Sequence, residues 1–125
     1  MNGLSVVVPV LNDAEHLALL LALLARQSRC ADEIIVVDNG STDESAQLAR
    51  DAGARVVHEP RPGILAAAAA GYDAAQGEII VRCDADTRPD TDWLRCIDMH
   101  FARSQSLDAL TGPGRFYDLP WGVRW

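Results

Sequence analysis

Residues 78–86 read EIIVRCDAD, a short apolar run that is followed by two carboxylates. The β-branched side chains of residues 79–81 favour a strand. Asp84 and Asp86 follow where this strand ends, so both carboxylates leave one loop. Oxygen ligands of this kind suit Mg²⁺ or Mn²⁺, although an isolated Asp-x-Asp is more often a simple turn. The rest of the sequence decides between a metal site and a turn.

Strand and helix patterns alternate along the whole chain. The predicted strands are 4–9, 33–38, 55–58 and 78–83, with a weak fifth at 107–111, and the predicted helices are 13–27, 43–52, 64–76 and 90–104. This alternation predicts an α/β, Rossmann-like fold with a mostly parallel sheet and helices on both faces. Right-handed crossovers then favour the strand order 3-2-1-4.

Three local features of the helices lead to further expectations. Residues 17–25 are apolar nearly all round, so we expect the first helix to be covered on more than one side. Asn12 or Asp13 is expected to cap that helix, and Asp90 the last one. Gly71 costs its alanine-rich helix about 1 kcal/mol relative to Ala, unless close packing requires a glycine.

The carboxyl ends of parallel strands meet at one edge of a sheet, where ligands bind near the switch in strand order. Three segments reach this edge: 9–13, 38–43 and 84–86. They carry several carboxylates whose mutual repulsion is unfavourable without a cation. The sequence therefore predicts a cleft that binds a cation.

Composition excludes several classes of function. The chain has 125 residues, enough for one domain, and its net charge of −7 argues against nucleic acid as a partner. It contains no lysine, which excludes a Walker-type phosphate loop, a Schiff base and a phospho-receiver site.

The three cysteines form no CxxC pair and suggest reduced thiols in the cytoplasm. No basic segment opens the chain, so a signal peptide is not expected.

Three segments together resemble the family 2 glycosyltransferases with the GT-A fold. They are 6–13 (VVVPVLND), 35–43 (IVVDNGSTD) and 77–86 (GEIIVRCDAD), and the resemblance extends over about residues 4–94. It implies a UDP-, dTDP- or GDP-sugar donor, with Mg²⁺ or Mn²⁺ as cofactor. It also implies transfer to a glycan, lipid-linked or protein acceptor, and hence a cytoplasmic location with peripheral contact at the inner face of the membrane.

The resemblance assigns donor-binding roles to five residues. Pro9, Leu11 and Asp13 would flank the nucleotide base and ribose, and Asp38 and Asn39 would read the base. Asp13 stands where the family more often has Glu, and Asn39 where it often has a second Asp.

The resemblance also gives the Asp-x-Asp pair its role. Asp86 would ligate the metal that bridges the donor diphosphate, and Asp84 would hold the ribose or a metal-bound water. The metal would then neutralise the leaving diphosphate as the glycosidic bond breaks.

Two departures from the family pattern stand out. After Gly63 the family commonly carries Ala-Arg-Asn, whereas this chain has alanines at 67–69. A cation expected near the donor is therefore missing, and Arg61, Arg82 and Arg88 are the candidates to replace it. The chain is also shorter than family members usually are.

From this length we expect residues 1–125 to form a single GT-A-like nucleotide-sugar-binding domain without the acceptor half. Asp108 and Asp118 are the only carboxylates after the fourth helix, and neither lies in a recognisable general-base motif. Two alternatives to an active transferase stay open. One is a non-catalytic module that binds nucleotide and metal, and the other is a truncated remnant that forms a homodimer through the aromatic residues 116, 117, 121 and 125.

Overall fold

The computed structural model describes residues 3–104 and 109–110, which form four strands and four helices in strict alternation. In chain order these are β1 (Leu4–Val10), α1 (Ala14–Ala25), β2 (Glu33–Asp38), α2 (Ser45–Asp51), β3 (Arg55–His58), α3 (Ile64–Ala74), β4 (Ile79–Arg82) and α4 (Trp93–Arg103). The predicted α/β pattern is confirmed. Of the predicted fifth strand only residues 109 and 110 are described, and they are not in a strand; Asp108, Asp118 and the four aromatic residues lie outside the described residues.

The four strands form one parallel sheet in the order β3-β2-β1-β4, as predicted. β1 lies inside the sheet and pairs with both β2 and β4. All seven of its residues are buried, because the sheet is covered on both faces and leaves no face for polar side chains.

Alternate residues of β1 enter two different cores. Val6 and Val8 pack in a core with Leu17, Leu20 and Leu94, which places α1 and α4 on one face. The other core is smaller and contains Val7, Ile35, Val37 and Ala67, with α3 as its helix. Helices therefore lie on both faces of the sheet, as expected.

Helix α3 approaches the sheet closely at Gly71. A Cβ atom placed there would overlap Cγ1 of Val7 and lie 3.1 Å from Cγ2 of Val37. Close packing thus explains why this alanine-rich helix keeps a glycine.

Changing Gly71 to Ala should destabilise the protein by about 1–3 kcal/mol, because the added methyl group overpacks the contact with β1. Helix propensity alone predicts the opposite sign, a gain of about 1 kcal/mol. Urea unfolding of the two proteins measures the difference, and a more stable variant would contradict the packing explanation.

The expectation that α1 is covered on more than one side is wrong. Its buried residues are Ala14, Leu17, Leu20, Leu21 and Leu24, which recur at helical spacing along a single face. Leu19 lies on the opposite face and is 54% exposed. Among the described residues, α1 therefore packs on one face only, although its sequence is apolar nearly all round.

The capping expectations for α1 and α4 are wrong. Asp13 occupies the position before α1 but makes no side-chain cap, and the N–H of Ala14 instead donates to Oδ2 of Asp43 (3.2 Å), in the loop after β2. α4 begins later than expected, at Trp93. Oδ1 of Asp90 accepts the N–H of Asp92 (3.1 Å) in the turn before this helix.

In the part of the chain that the structure describes, no helix combines the length and apolar character needed to cross a bilayer.

Candidate functional site

The carboxyl edge of the sheet is uneven between β1 and β4, and we call this position the crevice. β1 pairs with β2 as far as Val10 and Asp38, but with β4 only as far as Val7 and Arg82. Residues 8–10 of β1 therefore extend past their neighbour on one side. This is the switch in strand order at which open α/β sheets bind ligands.

Pro9 lies in the stretch of β1 that extends past β4. The carbonyl of Val7 accepts the N–H of Cys83 on the β4 side, whereas that of Val10 accepts the N–H of Asn39 on the β2 side. Because these directions alternate, the missing N–H of Pro9 faces the β4 side, where no strand continues. A proline is tolerated inside this sheet for that reason.

The residues predicted to bind the donor lie at this edge because each is at the end of a strand or follows one. Leu11 and Asp13 follow β1, Asp38 ends β2, Asn39 follows it, and the Asp-x-Asp pair follows β4. Leu11 is 55% exposed, so its side chain is accessible from solvent, and Asp13 is half-buried.

Asp38 is buried and held in a fixed orientation. Its Oδ1 accepts the N–H of Ser41 (3.0 Å), which closes a local turn, and its Oδ2 lies 3.4 Å from Nδ1 of His58. The carboxylate is thus prepositioned at the end of β2. Its predicted contact with a base stays a prediction.

Asn39 uses its side chain differently from what the resemblance implies. Both amide hydrogens are engaged, since Nδ2 donates to the carbonyls of Glu59 (2.9 Å) and Arg61 (2.7 Å). Oδ1 accepts the N–H of Gly63 (3.2 Å). The structure therefore directs this side chain to the loop after β3, and its role in reading a base stays a prediction.

Asn12 connects the loops that follow β1 and β2. Its N–H donates to Oγ of Ser41 (2.9 Å), and its Oδ1 accepts the N–H groups of Thr42 (2.7 Å) and Asp43 (3.3 Å). Its φ of 51° is a left-handed conformation that asparagine tolerates better than most residues. Sequence reasoning considered Asn12 only as a helix cap and missed this connection.

Asp43 completes the junction by binding both neighbouring helices. Its Oδ2 accepts the N–H of Ala14, and its Oδ1 accepts the N–H (3.0 Å) and the hydroxyl (2.6 Å) of Ser45. These hydrogen bonds, the Ser45 hydroxyl above all, lower the pKa of Asp43 from its ordinary value of 3.8. One carboxylate thus secures the starts of α1 and α2.

Asp84 and Asp86 flank a buried alanine. Both carboxylates are exposed, Ala85 is 5% exposed, and the carbonyl of Asp84 accepts the N–H of Thr87 (3.0 Å). Burial of the central residue turns both carboxylates outward at the mouth of the crevice. The described residues contain no group of three or more His, Cys, Asp or Glu arranged to hold a metal. Two exposed carboxylates do fit Mg²⁺, which is commonly bound by one or two carboxylates together with substrate phosphates.

The thiol of Cys83 adjoins this pair but adds no charge to it. Burial, reinforced by the negative charge of Asp84, raises the pKa of Cys83 to about 12. The thiol is therefore protonated near neutral pH, when it is a poor nucleophile and a poor metal ligand.

The three arginines proposed to replace the missing cation occupy different environments. Arg88 braces the Asp-x-Asp loop, because its Nη1 donates to the carbonyls of Ala85 (3.3 Å) and Thr87 (2.8 Å) and its Nη2 lies 2.7 Å from Nδ1 of His16 on α1. Arg82 lies 3.5 Å from Oδ1 of Asp84. Arg61 pairs with Glu59 (2.6 Å) in the loop after β3.

The sequence profile of Glycosyl transferase family 2 matches residues 5–109. The chain belongs to glycosyltransferase family 2. This confirms the family predicted from the three motifs.

Curated relatives and solved structures agree with this assignment. The chain is 43% identical to an uncharacterized glycosyltransferase of Mycobacterium tuberculosis (strain H37Rv), over 98% of this chain and 55% of that protein. It is 38% identical to an undecaprenyl-phosphate 4-deoxy-4-formamido-L-arabinose transferase of Pseudomonas fluorescens (strain SBW25), over 69% of this chain and 28% of that protein.

Among solved structures, glucosyl-3-phosphoglycerate synthase of Mycobacterium tuberculosis, in complex with Mn²⁺, UDP and glucosyl-3-phosphoglycerate, matches with a TM-score of 0.64. The identity is 32%, and the match covers 72% of this chain and 36% of that one. The expected GT-A fold is therefore confirmed. The chain spans about half the length of the first curated relatives, at 55%.

Replacing Asp43 with Asn should flatten the acid side of the stability profile. The pKa of Asp43 is lowered in the folded state, so its contribution is present above the unfolded pKa and is lost as pH falls through the folded pKa. Asparagine keeps an acceptor oxygen but does not titrate in this range.

Urea unfolding at about pH 6 and about pH 3 measures this effect, with the titration of the other carboxylates common to both proteins. The difference in unfolding free energy between wild type and Asp43→Asn should shrink at the lower pH. Parallel profiles would show that Asp43 does not support the two helices through its charge.

Proposed function

We propose that this chain is the donor-binding part of a glycosyltransferase that transfers a sugar from a nucleotide-diphosphate sugar to an acceptor hydroxyl. The observation that carries the proposal is the pair of exposed carboxylates, Asp84 and Asp86, at the crevice of a family 2 domain. The related synthase that was solved with Mn²⁺ and UDP supports a uridine diphosphate donor.

In this proposal Asp84 and Asp86 hold Mg²⁺ or Mn²⁺ together with the donor diphosphate. When bound, the metal supplies positive charge to the diphosphate as the glycosidic bond breaks. The role of this chain is to hold both carboxylates facing outward. The burial of Ala85 and the hydrogen bonds from Arg88 to the loop favour that orientation.

The nucleoside end of the donor would lie toward β2. A prepositioned carboxylate at Asp38 can accept a ring N–H from a base such as uracil. Pro9, Leu11 and Asp13 would flank the base and ribose from the end of β1. The same edge would thus bind the nucleoside near β2 and the diphosphate near β4.

In this proposal the acceptor supplies the hydroxyl group that attacks the donor sugar. We assign no general base among the described residues, and the acceptor class stays as glycan, lipid-linked or protein. A non-catalytic donor-binding module is the second candidate, because the proposed site accounts for donor binding and assigns no residue that would deprotonate an acceptor. A cytoplasmic location with peripheral membrane contact belongs to the same proposal.

Calorimetric titration of the chain with UDP, dTDP and GDP, each with Mn²⁺ and again with EDTA, tests donor binding. We expect one nucleotide to bind, and to bind more weakly in EDTA. Failure of all three to bind a demonstrably folded chain would overturn the proposal. Release of UDP from a UDP-sugar only when an acceptor is supplied would separate the transferase from the binding module.

Asp86→Ala should weaken Mn²⁺-dependent UDP binding by at least about tenfold, because it removes a charged metal ligand. Asp51→Ala, at the end of α2, removes the same charge from an exposed helix outside the site and should leave the affinity unchanged. Equal affinity in Asp86→Ala and wild type would remove the metal assignment.

Asp38→Asn should weaken binding of the nucleoside uridine as well as of UDP, because the loss concerns the base rather than the metal. Titrations followed by NMR in the absence of metal detect the weaker nucleoside complex. We expect about a fivefold loss, or about 1 kcal/mol, because asparagine keeps an acceptor oxygen and only the charge-dependent part of the hydrogen bond is removed. If uridine binds both proteins equally, Asp38 does not contact the base.

A further inference from the structure

The loop of residues 59–63, between β3 and α3, has few backbone hydrogen bonds of its own. Pro60 and Pro62 have no N–H, and the N–H of Glu59 donates to the carbonyl of Asp38 (3.0 Å). Gly63 precedes α3 with a φ of 108°, and no side chain of its own caps the helix. Side chains, rather than backbone hydrogen bonds, therefore supply most of the support for this loop.

Asn39 supplies that support with every polar group of its side chain. The two amide hydrogens point to the carbonyls of Glu59 and Arg61, and the amide oxygen accepts the N–H of Gly63. An amide provides two donors and an acceptor, whereas an ionised carboxylate has no donor. The geometry at this position thus selects asparagine over aspartate.

The side chain of Arg61 is positioned in the same loop by Glu59. Nε (2.8 Å) and Nη2 (2.6 Å) of Arg61 both donate to Oε1 of Glu59. The side chain of Glu59 is 8% exposed and that of Arg61 is 72% exposed, so the carboxylate is anchored while the guanidinium faces solvent. The hydrogen bonds from Arg61 also lower the pKa of Glu59, which keeps the pair ionised near neutral pH.

Arg61 lies near the β2 end of the site rather than beside the Asp-x-Asp pair. Its carbonyl is bonded to Asn39, the residue that follows Asp38 at the end of β2. β4 lies two strands away from β2, and adjacent strands are about 4.8 Å apart. We therefore expect the guanidinium group near the part of the site that would bind the nucleoside, where its planar face can stack on a base.

We propose that Asn39 is a positioning residue, which does not contact the base but fixes the 59–63 loop and so places Arg61 against the nucleoside of the donor. This inference rests on the proposed donor site for the role of Arg61. The support of the loop by Asn39 is independent of any ligand and can be tested without one.

The first experiment compares Asn39→Asp, Asn39→Ala and wild type by amide hydrogen exchange, followed by NMR in the absence of ligand. Asn39→Ala should speed exchange at Gly63 by at least about tenfold, because it removes the oxygen that accepts this N–H together with both donors that hold the loop. Gln47→Glu makes the same change as Asn39→Asp, from amide to acid, at an exposed position of α2 and is the matched control. Unchanged exchange at Gly63 in both Asn39 variants would overturn the loop assignment.

The second experiment measures UDP affinity with Mn²⁺. If Asn39 read the base directly, a carboxylate would still accept a ring N–H, and Asn39→Asp would bind at least as well as Asn39→Ala. Our proposal predicts the reverse order, with Asn39→Asp the weakest. Thermal unfolding of each variant confirms that the chain is folded at the temperature of the titration.

A double-mutant cycle with Arg61→Gln then identifies the residue through which Asn39 acts. Arg61→Gln alone should weaken UDP binding by about fivefold, and Asn39→Asp should cause little further loss in that background. Additive losses would overturn the link from Asn39 to Arg61. If wild type binds no UDP, the donor proposal for this nucleotide and the role of Arg61 both fail, while hydrogen exchange still decides the role of Asn39.

Discussion

The parallel pairing of β1 with neighbours on both sides is the constraint on which the rest of this structure depends. Every residue of β1 is buried, and its alternating side chains enter separate cores above and below the sheet. The packing is close enough that α3 has a glycine where it crosses Val7. Because all four strands run in one direction, every loop that follows a strand emerges at the same edge.

This shared edge concentrates negative charge and creates the site. Oδ1 of Asp38 accepts the Ser41 N–H and its Oδ2 lies beside Nδ1 of His58, while Asp43 accepts hydrogen bonds at the starts of two helices. The Asp-x-Asp pair is exposed beside a crevice that exists because β1 continues past β4. The fold thus places buried or loop-binding carboxylates and two exposed carboxylates at the same edge of the sheet.

Side chains, rather than backbone ladders, connect the loops around this site. Asn12 joins the loops after β1 and β2, and Asn39 joins the end of β2 to the loop after β3. The two asparagines use their side chains differently: the side-chain oxygen of Asn12 accepts hydrogen bonds from the next loop, whereas the side chain of Asn39 accepts one hydrogen bond and also donates both amide hydrogens. An asparagine at such a junction, such as Asn39, can therefore be required for its N–H donors, even where the adjacent aspartate is required for its negative charge.

The sequence by itself determined the alternation of elements and the strand order, because hydrophobic runs, turn residues and right-handed crossovers are local or nearly local properties. The family followed separately, from the resemblance of three motifs. The sequence also placed seven candidate residues at one edge. Only the tertiary structure decided how these side chains are used. Asp43 rather than Asp13 caps α1, and α1 is buried on one face although its sequence is apolar all round. Asn39 holds a loop about twenty residues away, and Arg61, Arg82 and Arg88 have three separate sets of partners. These outcomes depend on hydrogen bonds and ion pairs between loops that are far apart in sequence. The periodicity or spacing within one segment does not determine which side chains form them.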